Sequence, residues 1–183
     1  MANLLTGLRL ILAVPAALAF ARSELMSPVL LLAIVVIAIA SDLLDGVVAR
    51  ATNTASPRGR LFDHATDFFF VTSGLAGAAF AGQVSAALPL LVVVAFSQYV
   101  LDSYFFHRDK QLRMSSLGRW NGTFYFVPLV LIAVSRLNAA TGVAEVLSTL
   151  IKSLTFFLIL STVASIIDRA IAPRRLTAPS PDL

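Results

Sequence analysis

Six mostly apolar stretches, at residues 4–21, 26–49, 60–81, 86–106, 120–134 and 147–171, fill most of the chain and leave only short connections. A helix needs about 20 such residues to cross the hydrocarbon core of a bilayer. In lipid, the backbone N–H and C=O groups must be satisfied within the helix itself. Only 13% of the residues are charged and 58% are hydrophobic, whereas a soluble domain carries about 25% charged residues. The expected fold is therefore an all-α integral membrane protein, a bundle of six transmembrane helices over residues 1–171. The remaining residues, 172–183, contain three prolines and two adjacent arginines and read as a disordered cytoplasmic tail. No stretch is left for a separate soluble domain, and no internal repeat is evident.

The basic residues set the orientation. With six spans both termini share a side, and that side would hold eleven of the fourteen Lys and Arg, leaving Arg22, Arg136 and Lys152 on the other. Cytoplasmic loops carry the excess of basic residues, so both termini are expected in the cytoplasm. The net charge of +4 is then a topology signal, and no nucleic-acid partner is expected. Without cysteine there is no disulfide framework and no thiolate metal site. Residues 4–21 with Ala19-Phe20-Ala21 have some look of a secretory leader, but no basic residue precedes Arg9 and the helical face Asn3, Thr6, Arg9 is polar. This stretch is taken as part of the protein.

Charges at the edge of such apolar sequence are costly and point to function. Asp42, Asp45, Asp63 and Asp67 all lie there. On a helix, Asp42 and Asp45 share a face with Gly46 and Ala49, while Gly59, Asp63 and Asp67 form a second stripe, because residues three or four apart are neighbours. The second span would run toward the cytoplasm and the third away from it, so all four acids are expected at the cytoplasmic face. Two acidic stripes facing each other make a carboxylate cage suited to hard divalent cations. Four carboxylates so close oppose one another's ionisation unless compensated. Two Mg²⁺ ions, or Mn²⁺, about 3.5–4 Å apart would compensate them and clamp a phosphoryl group during displacement.

The segment follows, position by position, the pattern D-x2-D-G-x2-A-R-x8-G-x3-D-x3-D, with Asp42, Asp45, Gly46, Ala49, Arg50, Gly59, Asp63 and Asp67 at its eight fixed places within 26 residues. In this it resembles the CDP-alcohol phosphotransferases, membrane enzymes of phospholipid synthesis. The opening Asn3-x2-Thr6-x2-Arg9 is similar to the start of many bacterial members. The resemblance implies transfer of a phosphatidyl group from CDP-diacylglycerol to a polar alcohol, with release of CMP. It implies that Asp42, Asp45, Asp63 and Asp67 bind metal, and that Asp67 also takes the proton of the attacking hydroxyl. Arg50 would pair with phosphate or hold a carboxylate. Gly46, Ala49 and Gly59 would leave room for the nucleotide, and Asn3, Thr6 and Arg9 would belong to the substrate-binding set. A homodimer in the bacterial inner membrane, its site facing the cytoplasm, is implied as well.

The acceptor is less constrained. Asn3, Thr6, Arg9 and the Ser41-Asp42 start resemble phosphatidylglycerophosphate synthases, which favours sn-glycerol 3-phosphate. Inositol phosphate, inositol and phosphatidylglycerol remain alternatives. Many of those synthases read D-P-x-A-D-K, where this chain has Asp63-His64-Ala65-Thr66-Asp67-Phe68. His64 follows an aspartate and could be a base, but adjacent helix positions point in different directions. A basic cluster at His107, Arg108, Lys110, Arg113 and Arg119 lies on the expected cytoplasmic side. Gly118-Arg119 resembles the start of a G-K-x-K-T stretch, with Asn121 where the second lysine would stand. Arg113 and Arg119 are the leading candidates to bind an acceptor phosphate. Gly74, Ala78 and Gly82 form a small-x3-small stripe for close helix packing, inside one chain or between two. A transporter would also use membrane acids, but its sites lie near the midplane at broken helices, and these acids lie at helix ends.

Overall fold

The computed structural model describes residues 2–51, 57–101, 116–137 and 141–171. Among these, every regular element is a helix. They are α1 (Ala2–Ala21), a 3-10 turn (Ser23–Leu25), α2 (Pro28–Ala51), α3 (Pro57–Phe80), α4 (Ala87–Leu101), α5 (Ser116–Phe124), α6 (Phe126–Ser135) and α7 (Thr141–Ile171). The tail at 172–183 and most of the basic cluster, with His107, Arg108, Lys110 and Arg113, lie outside the described residues.

Local chemistry sets the boundaries. Helices α2 and α3 both begin on a proline, Pro28 and Pro57, where the missing N–H costs nothing and the fixed φ suits the first turn. Helix α3 stops at Gly82, whose φ of 71° is left-handed. There the Gly82 N–H donates to the Ala79 carbonyl and the Gln83 N–H to the Ala78 carbonyl, both at 2.9 Å. This pair of bonds is the Schellman end of a helix. Gly82 thus caps α3 and does not extend the packing stripe expected through Gly74 and Ala78.

The fifth span is divided at Tyr125 into α5 and α6. Pro128 lacks the N–H that the Phe124 carbonyl would accept and its ring crowds that carbonyl. Tyr125 marks the joint, yet it stays helical in conformation (φ −64°, ψ −20°), and its N–H still reaches the Asn121 carbonyl at 2.9 Å. The apolar run therefore continues over Leu117–Ser135, starting earlier than the expected 120. Asn121 lies within it, buried, with its Oδ1 accepting a hydrogen bond from Ser161 Oγ at 2.7 Å. Leu117–Ser135 and Gly142–Ile171 are long and apolar enough to cross a membrane, while Leu5–Ala21, Pro28–Leu44 and Ala87–Leu101 are apolar but shorter. Helix α7 starts at Thr141, six residues before the expected 147, and its 31 residues reach about 46 Å.

Helix α1 packs most extensively against α3, then against α2. The closeness of the first pair rests on Gly77, where a Cβ would collide with the Ala17 carbonyl oxygen and lie 3.2 Å from the Ala21 nitrogen. Gly74 sits against Leu129 and Phe20. The core joins Phe20, Phe70, Leu75, Leu88, Leu129, Ile132 and Leu158. Outward faces are apolar as well: Ile11, Phe80, Phe156 and Phe157 are all more than half exposed, as lipid-facing residues would be.

Arg136 ties one end of the bundle. Its guanidinium donates to the carbonyls of Ala19 (2.6 Å) and Phe20 (2.8 Å) and to Gln83 Oε1 (2.8 Å). The end of α1, the α3–α4 turn and the end of α6 thereby meet. The opposite end gathers the acids of α2 and α3, the start of α5 and the end of α7.

Candidate functional site

Helix α1 brings Arg9 between α2 and α3. Its side chain is wholly buried. The Nε atom donates to Ser41 Oγ at 3.3 Å, and Ser41 Oγ in turn donates to the Ala38 carbonyl at 2.8 Å. One guanidinium nitrogen, Nη1, faces three carboxylates at once. It is ion-paired with Asp67, with Asp63 at 3.3 Å and with Asp42 at 3.5 Å. A fixed cation thus sits where Asp42 from α2 and Asp63 and Asp67 from α3 converge. Without it, three like charges would stand together at the edge of an apolar bundle, which is costly.

The acids are reachable from outside. Their side chains keep 36% (Asp42), 26% (Asp63) and 20% (Asp67) of their surface. Asp63, His64 and Asp67 each offer a ligand atom within 4.8 Å of the others. Carboxylate oxygens and an imidazole nitrogen are an appropriate donor set for a divalent cation. Asp42 joins Asp63 and Asp67 through Arg9 and, with His64 and Asp67, lines a cavity of about 530 Å³.

That cavity links acids, bases and an apolar wall. Phe68, Val71, Val92, Phe96, Phe126 and Val130 give it an apolar lining, with Phe68 and Phe96 stacked at a centroid distance of 4.0 Å. Arg119 at the start of α5 and Arg169 near the end of α7 line it too. Arg169 lies over the Tyr99 ring, 5.2 Å from its centroid. Tyr125 OH pairs with Thr162 Oγ1 at 2.7 Å, and Gln98 donates to the Ile166 carbonyl at 3.2 Å. These bonds tie α4 and the α5–α6 segment to α7. The pocket can hold a molecule that is part charged and part apolar, with its anionic part between acids and arginines.

Of the residues expected from sequence, Asp42, Asp63, Asp67 and Arg9 come together, and Thr6 is buried one turn before Arg9. Gly59 is half-buried, one turn before Asp63. Arg119, on α5, lines the cavity that Asp42 and Asp67 also border. The side chains of Asn3, Asp45, Gly46, Ala49 and Arg50 lie outside the described residues, as does all of Arg113. Three features are not evident from sequence. Arg9 is a partner of the acids, His64 joins Asp63 and Asp67, and Arg169 reaches the cavity. The i, i+3 spacing of His64 and Asp67 was the available signal for the second. Arg169 resembled only another basic residue at a helix end.

No curated protein and no solved structure matches the chain. The model of the CDP-alcohol phosphatidyltransferase family does match, over residues 1–169, and the chain therefore belongs to this family of membrane-bound, generally metal-dependent transferases of phospholipid synthesis.

Proposed function

We propose that this protein transfers a phosphatidyl group from CDP-diacylglycerol to a polar alcohol, with sn-glycerol 3-phosphate as the leading acceptor. The observation that carries the reading is a single cavity lined by Asp42, His64 and Asp67, by Arg119 and Arg169, and by apolar side chains such as Phe68, Val92 and Phe126. The donor needs a place for a pyrophosphate and a route for acyl chains. The acceptor needs a hydroxyl beside a base and a countercharge for its phosphate.

Asp42, Asp45, Asp63 and Asp67 would hold two divalent ions, Mg²⁺ or Mn²⁺. When bound, such ions neutralise the pyrophosphate oxygens and the charge that develops in displacement. Asp67 takes the proton of the acceptor hydroxyl. The hydroxyl oxygen bonds to the phosphatidyl phosphorus, the P–O bond to CMP breaks, and CMP leaves with that electron pair. Arg119 and Arg169 grip an acceptor phosphate, for which Arg is suited by its forked donors. Arg9 keeps the acids from repelling one another while they wait for cations.

Six spans, with both termini and the site on the cytoplasmic side of a bacterial inner membrane, follow from the excess of basic residues on one side. The ends of the bundle support that path, because Arg136 collects the turns expected opposite the site. A homodimer completes the reading, the outward apolar faces leaving room for a second copy. The test is to supply CDP-diacylglycerol to the purified protein with sn-glycerol 3-phosphate, inositol phosphate, inositol or phosphatidylglycerol and to identify the lipid product. Phosphatidylglycerophosphate supports the assignment. A product from inositol alone overturns the acceptor but not the chemistry.

A further inference from the structure

His64 stands beside Asp63 in sequence, and neighbours on a helix point about 100° apart. Yet His64 is also three residues before Asp67, one turn away on the same stripe. The structure resolves the conflict in favour of a cluster. Ligand atoms of Asp63, His64 and Asp67 lie within 4.8 Å of one another. His64 is half-buried and borders the cavity together with Asp42 and Asp67. An ion with bonds of about 2.1 Å holds neighbouring donors roughly 3–3.5 Å apart, so shifts of about an ångström would bring these three onto one cation.

The nitrogen donor changes which cation fits. Mg²⁺ prefers oxygen ligands in near-ideal octahedral geometry and gives up its waters reluctantly. Imidazole instead favours transition-metal ions, whose affinities for nitrogen rise along the first row. The acid motif alone supplies only oxygen, and His64 adds a nitrogen beside it. We infer that His64 is a nitrogen ligand of a cation in the acidic site, and that it shifts the site's preference from Mg²⁺ toward transition-metal cations such as Mn²⁺, Co²⁺ or Zn²⁺. The inference rests on the metal reading under Proposed function and adds to it a specific ligand and a cation class.

The test is the electron spin echo of Mn²⁺ bound to the whole chain in detergent, with no substrate and no turnover. A coordinated imidazole nitrogen imprints a modulation on that echo, and carboxylates do not. The chain has two histidines, His64 and His107, so two variants assign the source. The expected result is a nitrogen modulation in the native protein that is lost in His64→Gln and kept in His107→Gln. In His64→Gln, Mg²⁺ should also displace Mn²⁺ at lower concentration than in the native protein. Bound Mn²⁺ without nitrogen modulation overturns the inference and leaves a carboxylate-only metal site standing. Modulation lost only in His107→Gln overturns it as well. Failure of the native protein to bind Mn²⁺ at all overturns the metal reading itself. Should His64→Gln not fold, the native spectrum still decides, because a missing nitrogen signal there is sufficient to reject the ligand.

Discussion

Arg9 of α1 is ion-paired with Asp67 of α3, 58 residues further along the chain. The same guanidinium nitrogen faces Asp63 and Asp42. The first helix is thereby part of the site, with Arg9 on its polar Asn3, Thr6, Arg9 face bound to the acids of two other helices.

Arg9→Met should therefore destabilise the protein more than a typical surface change. Removing one partner of a buried ion pair costs about 3–5 kcal/mol. The acids here retain some exposure, so about 3 kcal/mol is expected. In detergent with EDTA the variant should melt well below the native protein. Added Mn²⁺ should return part of the loss, because a divalent cation replaces the missing charge. Arg9→Lys keeps the charge but loses the bond to Ser41, and should fall between. An unchanged melting temperature for Arg9→Met would contradict the role given to this residue.

Gly77→Ala tests the contact that holds α1 on α3. A Cβ there meets Ala17 backbone, which has no rotamer by which to move away. Overpacking of this kind costs about 1–3 kcal/mol. Thermal unfolding should show the loss. Activity should fall with it, since α1 carries Arg9 and α3 carries Asp63 and Asp67. Gly142→Ala has open space around the new methyl and should leave both measures near the native values.

Arg119→Ala should raise the apparent KM for a phosphorylated acceptor far more than that for CDP-diacylglycerol, with a smaller change in kcat. Loss of an interaction made equally in the bound substrate and the transition state has this signature. Turnover of a neutral alcohol such as inositol should hardly change. Equal effects on both substrates would remove Arg119 from the acceptor phosphate.

Topology can be read with single cysteines, because the chain has none of its own. Ser85 follows the turn after α3 and Leu117 opens α5, both exposed. A membrane-impermeant thiol reagent should label Ser85→Cys only from outside and Leu117→Cys only from the cytoplasm. Labelling of both from one side would overturn the proposed path.

Sequence carries the site's acids openly, because their spacing matches helical stripes and their cost in an apolar setting marks them. It also carries the helical class and the positions of most apolar runs. The break between α5 and α6 falls three residues before Pro128, which hydropathy alone does not single out, and the polar Asn121 sits buried in the same apolar run with its Oδ1 bonded to Ser161. The acid partners of Arg9 and the place of Arg169 on the cavity were harder. An arginine near a helix end is also what the positive-inside bias produces, and only packing between distant helices separates the two uses. The tight approach at Gly77 was likewise hidden behind a more regular stripe, Gly74-Ala78-Gly82, of which Gly82 turned out to be a helix cap.

The most direct measurement is CMP release from CDP-diacylglycerol by the purified protein in detergent, with Mg²⁺ or Mn²⁺ and with EDTA, for native protein and Asp63→Asn. The account predicts acceptor-dependent CMP release that requires a divalent cation. It also predicts at least a hundredfold loss in Asp63→Asn, about 3 kcal/mol in the barrier. Full activity in EDTA, or near-native activity in Asp63→Asn, would contradict a metal-dependent transfer at the acids of α2 and α3.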